Sequence, residues 1–241
     1  RIGEAFGQRL GNIITYGAEI IRLSRQGDGA QVGAQVIWRD VSTGQTQSLD
    51  ADRVICALPF PPLQQIEADF SPPVRAALSA PEYVPAGKIA FQAARRFWEL
   101  DEQIYGGISW TSREITQIWY PSAGLHATKG ILLGAYIWSD EFGRRFARKS
   151  PAQRIEDCLD DGTRLHAAYR ENLGQGISVA WPNIPFSTGA WAEWSREARK
   201  SAYNVLLEGD GPFLFAGEHM SYVTGWQEGA VLSAHAAIAR V

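Results

Sequence analysis

Cysteine is nearly missing from this chain. Only Cys56 and Cys158 occur, the first in an apolar run over residues 54–58 and the second in a helical stretch. Two thiols so placed make neither a disulfide framework nor a metal site, and packed free thiols are the simple reading. The four histidines show no ligand-like spacing among themselves or with these cysteines, so no metal is expected. No apolar run reaches the length of a membrane span, so no membrane partner is expected and the protein reads as soluble, cytoplasmic or periplasmic. The net charge of −3 gives no reason to expect nucleic acid or an anionic lipid surface. Internal repeats and low-complexity segments are absent, and so is a G-x-G-x-x-G dinucleotide fingerprint.

What is present is aromatic. Nine Trp suit large buried surfaces or a lined ligand pocket. With 241 residues the chain makes one large domain or two small ones. It opens at Arg1 in what reads as mid-helix, with Ile2, Phe6 and Leu10 on one face, which points to a processed chain or a fragment. Strands are expected over residues 12–24, 32–39 and 46–51, with turns at 26–29 and 40–45. Residues 51–59 open polar and become an apolar strand ending on Pro59, as a parallel sheet covered on both faces demands. Residues 61–85 are proline-rich and irregular, with a short helix near 73–80. Further strands are expected at 88–97, 108–110, 117–120, 130–138 and 177–181, and a helix at 151–170. Residues 190–207 read as loop with helical pieces, 213–216 as a buried strand and 229–241 as a terminal helix. The class is α/β (α+β).

The most informative string is Phe-Leu-Phe-Ala-Gly-Glu-His at 213–219, followed by Gly-Trp-Gln-Glu-Gly-Ala at 225–230. It delivers a carboxylate and glycines to the start of a helix, a place suited to a phosphate or sugar. Upstream stand Ala-Asp-Arg-Val-Ile-Cys-Ala-Leu-Pro at 51–59, Ala-Gly-Lys-Ile-Ala-Phe at 86–91 with Phe-Trp-Glu at 97–99, Trp181, and Gly-Ala-Trp at 189–191. In this order the segments resemble the flavin amine oxidase family, L-amino-acid oxidase branch, over its C-terminal half. Each also has a plain structural reading: Lys88 snorkelling from a strand, Tyr136, Trp181 and Trp191 as packing aromatics, Glu218 at a strand-end turn.

The resemblance implies part of an FAD-binding parallel-sheet domain plus a mixed-sheet substrate-binding domain. Residues 1–60 and 191–241 would be segments of the first, the former with a β-meander, and residues 61–190 the second. It implies that Ile20, Pro59, Trp181, Gly217, Glu218, Gly225, Trp226, Gln227 and Ala230 face the cofactor. Lys88 would be catalytic, holding a water at flavin N5, where a cation stabilises the anion formed as dioxygen is reduced. Tyr136 would take a substrate carboxylate, and Trp191 and Trp226 would wall the amine. Ala190 stands where the monoamine oxidase branch carries its flavin-linked cysteine, so the FAD would be non-covalent.

The implied activity is oxidative deamination of an L-amino acid, hydrophobic or aromatic ones included, to keto acid, ammonia and hydrogen peroxide. With the fingerprint absent, the implied partner is an N-terminal half that carries it, beside a small amine or amino acid, dioxygen and an oligomeric assembly. Three readings stay open: a polyamine or monoamine oxidase, an aromatic amino-acid 2-monooxygenase, and a non-catalytic fragment or subunit unable to hold FAD alone.

Overall fold

The computed structural model describes residues 2–27 and 32–241. The chain divides into two compact units, one of Arg1–Ala80 with Trp194–Val241 and one of Pro81–Glu193. The mixed α+β class expected from the sequence is what the structure has.

The first unit opens with the helix Ile2–Leu10. The strand expected from residue 12 begins later, at Ala18–Gln26. Gly11 and Gly17 both take positive φ (55° and 70°), and residues between them form a 3-10 turn at Gly11–Ile13 before the chain extends. Ala18–Gln26 pairs antiparallel with Gly33–Asp40, which pairs with Thr46–Ala51. Of the turn expected at 26–29, residues 28 and 29 lie outside those described. The turn after Asp40 is made by its carboxylate, which accepts from Ser42 N (2.8 Å), Ser42 Oγ (2.6 Å) and Thr43 N (3.0 Å).

Val54–Cys56 pairs in parallel with Phe213–Phe215, bringing the distant C-terminal segment beside the apolar run. The phenylalanines of that strand are buried, and Phe70 packs edge-on against both, at 5.2 and 5.6 Å. Helix Pro72–Leu78 packs on helix Ala202–Glu208, which places residues 61–80 with this unit.

The second unit is built on a five-stranded antiparallel sheet. Its order is Leu173–Ala180, Gly87–Ala93, Gly130–Ile137, Gln117–Tyr120, Gly107–Trp110. One face is covered by the helices Asp140–Arg148 and Pro151–Thr163. Alternation along Gly87–Ala93 sends Ile89 and Phe91 into that core, with Phe97, Trp98, Ile118, Leu132 and Tyr169.

Several expectations are corrected here. The strand expected to run from Lys88 to Phe97 stops at Ala93, and Phe97–Leu100 is a helical turn. The cause is Arg96, buried with Glu99: its Nε donates to Glu99 Oε1 at 2.6 Å, and Glu99 Oε2 accepts from His126 N at 3.0 Å. Trp181 does not end a strand; the ladder stops at Ala180, and Trp181–Asn183 is a 3-10 turn whose Pro182 cannot donate. The helix expected over 151–170 ends at Thr163, and a separate turn forms at Tyr169–Asn172. Helix Asp140–Arg148 was not expected. Ser139 Oγ caps it by accepting from Phe142 N (3.3 Å), and Arg144 and Arg145 reach back to Asp140 and Glu141 at 2.7 Å.

Candidate cofactor and substrate elements

In the first unit the strand Phe213–Phe215 runs into Ala216, whose N–H donates to Cys56 O at 3.0 Å. Gly217 then turns the chain with φ 124°, a value that favours glycine. Its N–H donates to Ser233 Oγ at 2.9 Å, and the Ser233 hydroxyl lies 2.7 Å from Gly217 O and 2.9 Å from Ala230 O. The buried Ser233 thus ties the strand end to helix Gln227–Ile238.

Glu218 follows. Its Oε2 accepts from Gly225 N at 2.7 Å, which folds residues 218–225 into a closed loop. Two bonds hold this loop's backbone: Trp194 Nε1 donates to His219 O (2.8 Å) and Tyr203 OH to Met220 O (3.0 Å). The His219 ring is buried with its centroid 4.3 Å from that of Phe60. Burial lowers its pKa to about 4, against a smaller opposing pull from a hydrogen bond to the Ala216 backbone, so it is neutral at pH 7.

Gly225 has φ 77°, and Trp226 then starts the helix from an extended conformation. Trp226 makes no side-chain cap bond, so the helix start presents backbone N–H groups from Gln227 onward. Trp226 is 71% exposed, and Gln227 is exposed too. Gly229 lies against the loop: a Cβ built there would stand 2.9 Å from the Val223 carbonyl carbon and closer still to its oxygen and to Ser221 Oγ. Ala230 is half-buried one residue on. Elsewhere in this unit, Ile20 sits half-buried opposite Trp38 at a register shift of its strand. Pro59 is half-buried and leads the turn Phe60–Leu63.

In the second unit one short segment, residues 84–88, gathers four of the sequence-selected residues. Val84 exchanges backbone bonds with Ala190 (2.9 Å) and Trp191 (3.0 Å), and Ala86 O accepts from Trp181 N at 3.0 Å. Lys88 pairs with Tyr136 on one side and Val179 on the other. Its Nζ lies 4.4 Å from the Tyr136 ring centroid, a cation–π contact. Burial pushes the Tyr136 phenol up, so it is a proton donor at neutral pH. Trp181 and Trp191 are half-buried, and Trp191 Nε1 lies 3.4 Å from Glu193 Oε1.

Trp119, Gln117, Ser233 and His219 were not singled out from the sequence. Trp119 lies beside Tyr136, ring centroids 5.9 Å apart. Its signal was the aromatic alternation in Gln117–Tyr120; Ser233 gave none, because a serine in an Ala-rich helix is unremarkable.

A thioether link to a flavin would need a thiolate. Cys56 and Cys158 are buried, and burial raises both pKa values to about 12.

The whole chain, residues 1–241, matches the family model described as flavin containing amine oxidoreductase. It is 35% identical to an L-amino-acid oxidase of Mus musculus over 81% of this chain and 31% of that protein. It is 32% identical to the flavin-dependent L-tryptophan oxidase RebO of Lentzea aerocolonigenes, over 79% of this chain and 41% of the other. A solved putrescine oxidase, at 19% identity, shares the fold with a TM-score of 0.81, covering 99% of this chain and 52% of that one. A cyclohexylamine oxidase from Brevibacterium oxydans matches at 17% identity and TM-score 0.78, over 99% of this chain and 51% of the other. The chain therefore spans from a third to about half the length of these relatives.

Proposed function

The chain belongs to the flavin-containing amine oxidoreductase family, and from that premise we propose that it forms part of an FAD-dependent oxidase of L-amino acids. The observation that carries the choice of substrate class is the 35% identity to an L-amino-acid oxidase over most of the chain.

The first unit's residues fit a flavin nucleotide. An uncapped helix start, flanked by the positive-φ Gly225 and by the buried Gly229, gives backbone donors that an electron-rich group can approach closely. Glu218 would accept from cofactor hydroxyls, and Gly217, Gln227 and Ala230 would line the same loop, with Ile20 and Pro59 as further contacts. With both thiols buried and protonated, and alanine at position 190, attachment is non-covalent. FAD, when bound, supplies the two-electron chemistry, taking a hydride from the substrate α-carbon and passing the electrons to dioxygen.

The chain's own residues do the rest. Lys88 brings a fixed positive charge and holds a water. Tyr136, protonated at neutral pH, donates to the substrate carboxylate. Trp181 and Trp191 exclude water and orient the amine. The unit Pro81–Glu193 would form the substrate-binding portion, and Arg1–Ala80 with Trp194–Val241 the cofactor-binding portion. The remaining part of the longer protein would supply the dinucleotide fingerprint, and the assembled enzyme would be an oligomer.

The test uses the complete protein, purified with FAD and assayed for peroxide against L-amino acids, putrescine and cyclohexylamine. A yellow protein that releases flavin on acid precipitation and turns over L-amino acids supports the reading. Turnover of the amines alone, or an amide product formed with loss of carbon dioxide, would overturn it.

A further inference from the structure

The five-stranded sheet of the second unit carries one charged residue in its strands, Lys88. One face of the sheet is covered by helices; the strand residues of opposite alternation are left for something else. On that second face Lys88 pairs with Tyr136, Tyr136 meets Trp119, and Trp110 meets Trp138 at 6.3 Å. Trp119 is 40% exposed and Trp110 63%. An aromatic row this open marks a face built to be covered.

Trp119 is also fixed. Its Nε1 donates to Gln117 Oε1 at 2.6 Å, and Gln117 is itself buried, at 3% exposure. The indole therefore has a set orientation, with its polar edge satisfied and its π faces left for packing. A side chain that meets this wall finds no carboxylate in the strands and one cation beside Tyr136. That combination repels a second positive charge and leaves Trp119 and Trp110 to apolar contact.

We propose that Trp119, held by Gln117, is the residue that selects an aromatic side chain on the substrate amino acid, and that the same face rejects diamines and cationic amino acids. This rests on the oxidase reading for its biological meaning, although the binding it describes does not. Trp119 acts by contact with the substrate side chain, and Gln117 acts through Trp119 as a positioning residue.

The experiment pairs kinetics with a binding readout, both on the complete FAD-loaded protein. Trp119→Leu is expected to lower kcat/KM for L-tryptophan and L-phenylalanine about tenfold relative to L-leucine, the scale of one lost aromatic contact. Trp119→Phe should keep most of the preference, and Gln117→Leu should lose part of it by freeing the indole. In fluorotryptophan-labelled protein, the Trp119 resonance, identified by its loss in Trp119→Phe, should shift with indole-3-acetate and stay put with 4-methylpentanoate. An unmoved resonance at saturating indole-3-acetate, or an unchanged aromatic preference in Trp119→Leu, overturns the proposal. A protein that oxidises no amine yet shows the shift would sink the oxidase reading and uphold this one.

Discussion

Gly229→Ala sets two effects against each other. Glycine in a helix costs about 1 kcal/mol relative to alanine, so the substitution has something to gain. Gly229 sits in the first turn of Gln227–Ile238, where the gain is at most that size. Against it stands the overlap with the Val223 carbonyl and with Ser221 Oγ. The first is backbone and cannot rotate away. The second is the acceptor for Val223 N at 2.8 Å, so pushing it aside also strips a hydrogen bond. Overpacking of this kind costs about 1–3 kcal/mol, and the lost bond about 1 more. The clash wins, by about 1–3 kcal/mol net. At about 2–4 °C per kcal/mol for a chain of this size, the melting temperature should fall by about 2–12 °C. Scanning fluorimetry of the complete protein, with and without added FAD, measures it. Because the displaced loop carries Glu218 and leads to Gly225, flavin affinity should fall as well. An unchanged or raised melting temperature would refute the reasoning, since it would mean that the loop yields at no cost.

His219 makes stability depend on pH. Its folded pKa of about 4 lies below the unfolded 6.5, so the unfolded chain binds the extra proton first and stability falls as pH drops from 6.5 to 4. The loss is on the order of 3 kcal/mol and is complete below pH 4. Urea midpoints measured across that window should fall more steeply for the parent than for His219→Gln, and parallel slopes would dismiss the assignment. Arg96→Met leaves the Glu99 carboxylate buried without its cation. It should cost about 3–5 kcal/mol in urea unfolding, with Arg96→Met/Glu99→Leu recovering much of that; a single variant as stable as the parent would count against the pair's role.

Periodicity made much of the fold legible. Thr46–Ala51 and Gln117–Tyr120 lie where alternation places them, and the terminal helix starts at Gln227, two residues before the expected 229. What escaped was decided by distant partners. Nothing local says that the strand from Gly87 must stop at Ala93; the buried Arg96–Glu99 pair and the His126 amide decide it. The start of the first strand was misplaced because Gly11 and Gly17 look like ordinary strand-adjacent glycines until their positive φ is seen. For the candidate site, the Gly217–Ala230 string named its own residues. Ser233 could not be named, because its role lies in a bond to Gly217 from sixteen positions away. Trp119 was passed over because a strand tryptophan is ordinary until its indole is seen tied to Gln117 and set beside Tyr136.

The segment 84–88 has a bearing on how such an enzyme diversifies. Trp181 and Trp191 hang from it through backbone bonds, Lys88 lies within it, and Gly143 of a neighbouring helix abuts Pro85 so closely that a Cβ would stand 2.9 Å from its carbonyl carbon. A change there moves three side chains at once and has nowhere to relax. Trp110 and Ile108 sit instead on the sheet's outermost strand, paired on one side only. A substitution at that margin acts one residue at a time, whereas one within 84–88 shifts Trp181, Trp191 and Lys88 together.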